Sequence, residues 1–436
     1  MVTENREQSQ AGRLRRLFAF VTSPAGIYLV SSVLAKAGVI VLVPLYTRRL
    51  TIEEFGEYGL AQTLAQVGPM FLSLGTLAAV STFYFSGKDL EKSRRKSGSA
   101  ARVSIVLTTT LGLLVQVAVL LFAPRGVGLG STRALSCVLW GGIGAFFAQI
   151  PVVYFRAQQR PLRAAAFQLF QFLAVVGAAY VQVVVFGRGL LGAIEAIALS
   201  GVTMGVLGVA FALLALPGTL NRAIARETLH FSLPFVPHFA SMQITSISDR
   251  WIMKGSGREL DLGSYSLAVT VTGPIGMVLS AWNESESPKM GETVRRGGRR
   301  AVAAGFPKIL LQYALATLVP GLALLAALPL LKIIVGQRFS HALWPIPIMI
   351  GLIVLESPFS PCINVFSYFK RTRVIPLITM SGALLHLLAN LLLIPRWGTA
   401  GALVARAIAC LARSSVLIWF AVQTLRQPDV PEDADA

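Results

Sequence analysis

Twelve long apolar stretches divide this chain, each interrupted by charge at most once or twice and each near the roughly 20 residues that an α-helix needs to cross a bilayer core. They run near 25–45, 58–86, 103–123, 134–155, 164–186, 190–216, 232–253, 262–287, 308–331, 342–366, 374–394 and 398–425. Hydrocarbon offers no hydrogen-bond partner to the backbone, so segments of this length and character must be helical. The expected fold is therefore an all-α integral membrane protein. Composition agrees, with 54% hydrophobic and only 14% charged residues and a mean hydropathy of +0.67. No polar block remains that is large enough for a sizeable soluble domain.

The few charges are unevenly spread. Placing the N-terminus inside gives the inner segments about twice as many Lys and Arg as the outer ones, through clusters such as Arg13, Arg15 and Arg16, Lys92 to Lys96, and Arg295 to Arg300. Both termini are expected to be cytoplasmic. Arg13, Arg15 and Arg16 precede an apolar run from Ala25 and the small-residue pattern Ala35-Lys36-Ala37, as in a secretory signal. The apolar stretch resumes through Leu45, long enough to span, and is expected to stay attached as the first helix. A net charge of +19 points to anionic lipid or an anionic substrate as partner. Positive-inside topology already accounts for the basic loops, and nucleic acid is not an expected partner. Cys137, Cys362 and Cys410 lie far apart in apolar runs, without C-x-x-C spacing or a neighbouring His, so neither disulfide nor metal site is expected. There is no phosphate-binding loop and no cofactor motif.

Three places in the first half recur in the same order in the second. Phe55-Gly56-Glu57-Tyr58-Gly59-Leu60-Ala61 matches Leu262-Gly263-Ser264-Tyr265-Ser266-Leu267-Ala268. Phe155-Arg156-Ala157-Gln158-Gln159-Arg160-Pro161 matches the Phe369-Lys370-Arg371-Thr372-Arg373 run, and Gly189-Leu190-Leu191-Gly192-Ala193 matches Gly398-Thr399-Ala400-Gly401-Ala402. Preserved order at nearly constant spacing indicates an internal duplication. It predicts two six-helix lobes related by a pseudo-two-fold axis around a central cavity. The expected organisation is a cytoplasmic segment 1–23, an N-lobe 24–217, a cytoplasmic linker 218–231, a C-lobe 232–425 and a disordered acidic tail 426–436. Thr51 is expected to cap the helix that begins with Glu53 and Glu54 in its first turn, and Tyr58 and Tyr265 to anchor at headgroup level.

The run from Leu45 through Arg48, Glu53, Gly56 and Tyr58 to Leu60, with Leu233-Pro234-Phe235-Val236-Pro237-His238 and the later Asp249-Arg250, resembles the O-antigen-type polysaccharide flippases. These belong to the multidrug/oligosaccharidyl-lipid/polysaccharide exporter superfamily. The resemblance spans nearly all twelve helices. It implies two six-helix bundles and translocation of a polyprenyl-diphosphate-linked glycan across a bacterial inner membrane by alternating access. It also implies a non-enzymatic role beside a polymerase and other polysaccharide-assembly proteins. Drug exporters of the same superfamily share the fold, so the resemblance does not transfer a substrate.

Ionisable residues inside spans are costly and usually face a cavity. The cations are Lys36, central in the first span, Arg250 in the seventh, and Arg406 and Arg413, two turns apart on one face of the last. Lys36, Arg48, Arg250 and Arg406 are the candidate substrate-binding residues, since guanidinium matches phosphate oxygens. The bland alternatives are structural ion pairs, a latch between lobes for Arg250, and snorkelling for Arg406 and Arg413. Adjacent Asp249 and Arg250 point about 100° apart on a helix and should each find a partner elsewhere. Asp249, Glu284, Glu356 and His238 are the ion-coupling candidates, with Glu356, the deepest, as first choice and His238 as second, and Glu195 is a further acid within a span. Pro234 with Pro237 and Pro345 with Pro347 are candidate hinges. Rival functions are an ion-coupled exporter of amphipathic drugs, which would favour carboxylates over cations in its cleft, a polymerase or glycosyltransferase, for which the outer loops are too small, and a facilitator-type transporter.

Overall fold

The structure, a computed structural model, describes residues 41–85, 89–123, 129–369, 371 and 374–427. Lys36, the segment 1–23, most of the first expected span and the acidic tail after Gln427 lie outside the described residues. Within them the chain is helical, with no strand. Seven helices are long and apolar enough to cross a membrane, and a bent pair makes an eighth.

Helix α1 covers 41–49 and α2 covers Ile52–Leu72. The expected cap is present as a reciprocal box: Thr51 Oγ1 accepts from the Glu54 amide at 3.2 Å, and Glu54 Oε2 accepts from the Thr51 amide at 2.9 Å. Contacts divide the chain into two compact units, one from Leu64 to Val236 and the other joining Val43–Thr63 to the described residues from Pro237 on.

The first unit continues α2 into α3, Leu77–Tyr84, across a 60° bend. The bend uses two residues with positive φ, Leu74 at 48° and Gly75 at 73°. Then follow α4 (Leu90–Phe122), α5 (Thr132–Phe147), α6 (Gln149–Ala157), α7 (Pro161–Ala179), α8 (Gly189–Leu214) and α9 (Arg222–Ser232). Helix α4 starts well before the apolar run near 103. Hydropathy marks only the part that lipid surrounds, whereas the helix extends through its basic end to an Asp89 cap that accepts from the Glu91 and Lys92 amides. The linker expected over 218–231 likewise holds a helix, α9, capped by Asn221 and tied to α4 by the Lys96–Glu227 ion pair at 2.5 Å.

Helices α5 and α8 approach closely enough that a methyl on Gly141 would stand 2.6 Å from the Ile197 carbonyl oxygen. Small residues at such a seam let two backbones pack in lipid, where no hydrophobic force drives helices together. On its other face α4 presents Leu113, Leu114, Leu120 and Phe122 exposed, a surface suited to lipid tails.

The second unit holds α10 (Val236–Gly255), α11 (Glu259–Ala326), α12 (Leu328–Val335), α13 (Gln337–Ser340), α14 (Pro345–Glu356), α15 (Phe359–Tyr368) and α16 (Val374–Arg426). Two of these carry two expected spans each. Helix α11 turns through non-helical Gly297 and Gly298, and α16 through Gly398. The core of this unit gathers Met290, Phe306, Cys362, Phe366 and Leu417.

The duplicated motifs meet inside this unit, since Gly56 and Gly59 of α2 pack on Gly263 and Ser266 of α11. The third matched pair also shares a positive φ, +55° at both Gly189 and Gly398. A left-handed residue of this kind favours glycine.

Candidate functional site

The expected partners of Asp249 and Arg250 are all in the second unit. Asp249 on α10 is buried and receives hydrogen bonds from three elements. Tyr265 Oη of α11 donates to its Oδ2, while Asn390 Nδ2 of α16 donates to Oδ1 at 2.5 Å. His386 Nε2 lies 3.3 Å from the same oxygen, and Ser248 Oγ is 3.4 Å away. His386 and Asn390 are one turn apart on α16, so both reach a single carboxylate. Burying a charge requires this density of partners. Arg250 points elsewhere, its guanidinium donating to Thr63 Oγ1 of α2, and its Nε has no hydrogen-bond partner among the described residues.

A second cluster is built on Glu356 at the C-terminal end of α14. Arg406 Nη2 donates to its Oε2 at 3.0 Å and Arg413 Nη2 to its Oε1 at 3.2 Å. Cys410 Sγ donates to Oε1 at 3.1 Å. Arg406, Cys410 and Arg413 lie four and three residues apart on α16, and this helical spacing puts all three on the face that meets α14. The three charged side chains keep 19–23% of their surface exposed, so the cluster is partly buried and reachable. Arg406 also lies within electrostatic reach of Tyr265 and Asp249, which links the two clusters.

The structure thus joins Glu356 to Arg406, two residues chosen separately from the sequence, and adds Arg413. It also brings in Tyr265, His386 and Asn390. Tyr265 corrects an expectation, because it is 2% exposed and bonded to Asp249 rather than standing at a membrane surface. Tyr58 is likewise buried, its ring 4.4 Å from that of Tyr46. Glu284 and Arg48 are exposed and belong to neither cluster. His238 is within α10, and its side chain lies outside the described part. His386 and Asn390 had a sequence signal, two polar side chains at helical spacing in the apolar run 374–394.

In the first unit, buried Glu195 also sits between two arginines, Arg188 at 2.7 Å and Arg133. There the arginines are 45% and 62% exposed. That arrangement is a solvated clamp, unlike the one on Glu356.

A family model described as polysaccharide biosynthesis protein matches residues 24–292, well over half of the chain. The chain belongs to this family. The chain is 21% identical over 360 residues to Lsg locus putative protein 1 of Haemophilus influenzae, with 80% of this chain and 85% of that one covered. Among solved structures it is similar to an inward-facing multidrug resistance MATE family transporter of the MOP superfamily. That match has a TM-score of 0.69 at 15% identity and covers 91% of this chain and 96% of the other. It is also similar to a MOP superfamily transporter from Pyrococcus furiosus described as having a binding pocket of reverse polarity that suggests a different function. There the TM-score is 0.62 at 14% identity, with 94% and 98% covered. These likenesses establish the fold, the two-lobed twelve-helix fold of the MATE transporters. The chain is a multi-pass membrane protein with a transporter fold.

Proposed function

We propose that this chain flips a polyprenyl-diphosphate-linked oligosaccharide from the inner to the outer leaflet of a bacterial inner membrane by alternating access, for cell-surface polysaccharide assembly. Its termini are cytoplasmic, it catalyses no covalent chemistry, and it works beside a polymerase and related assembly proteins. The observation that carries this reading is the charge balance of the two clusters. Three guanidinium groups, Arg250, Arg406 and Arg413, stand against two carboxylates, Asp249 and Glu356. An anionic diphosphate complements that excess, and a cationic drug does not. Arg250 and Arg406, with Lys36 and Arg48 of the first half, bind the diphosphate, while the sugars cross a wet path and the prenyl chain stays in lipid. Asp249, with His386 against it, is the leading ion-coupling group, and Glu356, Glu284 and His238 are the others to test.

The test is the purified protein in sealed liposomes containing a fluorescent polyprenyl-diphosphate sugar lipid. The readout is the rate at which inner-leaflet label becomes accessible to an external quencher, with and without a proton gradient. Translocation above that of empty liposomes, lost in a Lys36→Ala plus Arg250→Ala variant, supports the reading. No translocation, together with transport of an amphipathic cation by the same preparation, overturns it in favour of a drug exporter.

A further inference from the structure

In the Glu356 cluster one carboxylate occupies two guanidinium groups, as at Glu195, but here the arginines are only 19–23% exposed. Arg406 and Arg413 each give one Nη2 donor to a different oxygen of Glu356. Much of their donor capacity remains unspent, because Arg406 Nη1 meets only the Met349 thioether, at 3.4 Å, and the buried Arg413 Nε has no hydrogen-bond partner among the described residues. Each guanidinium carries five N–H donors in a planar fork suited to the oxygens of a carboxylate or phosphate. A single carboxylate therefore under-fills the pair, in both hydrogen bonds and charge.

The site is also placed to exchange its occupant. Glu356 is the last residue of α14, followed by Ser357 and Pro358 before α15 begins at Phe359. The carboxylate can leave the arginines by a change of side-chain rotamer, which breaks no backbone hydrogen bond. The arginines lie in the part of α16 that runs on without a kink after Gly398. The Arg413 guanidinium is further fixed over the Phe359 ring, 5.2 Å from its centroid.

We propose that Glu356 is an internal competitor that occupies an anion site formed by Arg406 and Arg413, and that the diphosphate of the lipid-linked substrate displaces it. The inference rests on the flippase reading for the identity of the lipid, while the anion site itself is defined by the cluster. A diphosphate supplies more oxygens and more charge than one carboxylate, so it fills the donors that Glu356 leaves open. The carboxylate in turn holds the site closed when no substrate is present, which keeps two cations from standing unpaired at membrane depth.

Binding of inorganic pyrophosphate to the purified full-length protein in nanodiscs, measured by calorimetry, tests this directly. Glu356→Gln should bind pyrophosphate about tenfold or more tightly than wild type, since the competing charge is gone. Arg406→Gln with Arg413→Gln should abolish binding in either background. Glu356→Asp, which keeps the negative charge at shorter reach and guards against misfolding, should show an intermediate gain. Pyrophosphate should also raise the melting temperature of Glu356→Gln by more than that of wild type, because it replaces the missing anion. Unchanged or weaker binding in both Glu356 variants overturns the inference and leaves the cluster a structural latch. Tighter pyrophosphate binding without movement of a lipid-linked sugar in liposomes retains the anion site and overturns the flippase reading. Translocation with no gain of affinity does the reverse.

Discussion

Gly56 and Gly263 face each other across α2 and α11 with no room for a side chain: a methyl on Gly56 would stand 2.7 Å from the Gly263 amide nitrogen. They are the same position of the duplicated motif. Backbone against backbone cannot yield as a flexible side chain can. Gly56→Val or Gly263→Val should therefore lower stability by about 2–4 kcal/mol, near or above the usual overpacking range. Thermal unfolding in detergent checks it, with the open Gly273→Ala as the control that changes little.

Tyr265→Phe deletes one of the donors on Asp249 and nothing else of similar size. A buried acceptor stripped of a partner costs about 1–3 kcal/mol. The same range applies to Asn390→Ala, whose amide donates to Asp249 and Ser248. Because both bonds end on one carboxylate, the double variant should lose less or more than the sum of the singles, and a double-mutant cycle on melting temperature measures that coupling.

Arg413→Gln leaves Glu356 paired with Arg406, so its effect on stability should stay near 1 kcal/mol. Removing both arginines leaves the carboxylate unpaired and should cost clearly more than twice that, toward the range of about 3–5 kcal/mol for a broken buried pair. Denaturation midpoints of the two singles and the double decide it.

Glu195→Gln gives the contrast. Its two arginines are largely solvated, so the loss should be about 1 kcal/mol and the transport rate should stay within about twofold of wild type. The liposome assay and a thermal melt on one preparation provide both numbers.

How far the chain announces all this depends on the range of the interaction concerned. The spans follow from apolar runs, a local property, and the box at Thr51 and Glu54 from a three-residue spacing. The duplication was visible in sequence, and the packing of Gly56 on Gly263 gives it a physical role. Helix ends were less legible, as α4 and α9 show, because hydropathy records lipid and not hydrogen bonding. Arg406 and Arg413 could be placed on one face from their spacing of two turns. Their joint partner, Glu356, lies 50 residues before Arg406 and had to come from tertiary contact. Tyr265 was misplaced for the same reason, since an aromatic beside a span end looks identical in sequence whether it meets headgroups or a buried aspartate.

The turns at Gly189 and Gly398 share a φ of +55° and differ in chemistry. In the first, Arg188 just before the turn reaches forward to Glu195; in the second, Asp261 Oδ1 accepts from the Thr399 amide just after it at 2.9 Å. Because both copies of the motif lie in one polypeptide, each carries its own partner: an arginine before the turn at Gly189 and an aspartate of α11 at Gly398.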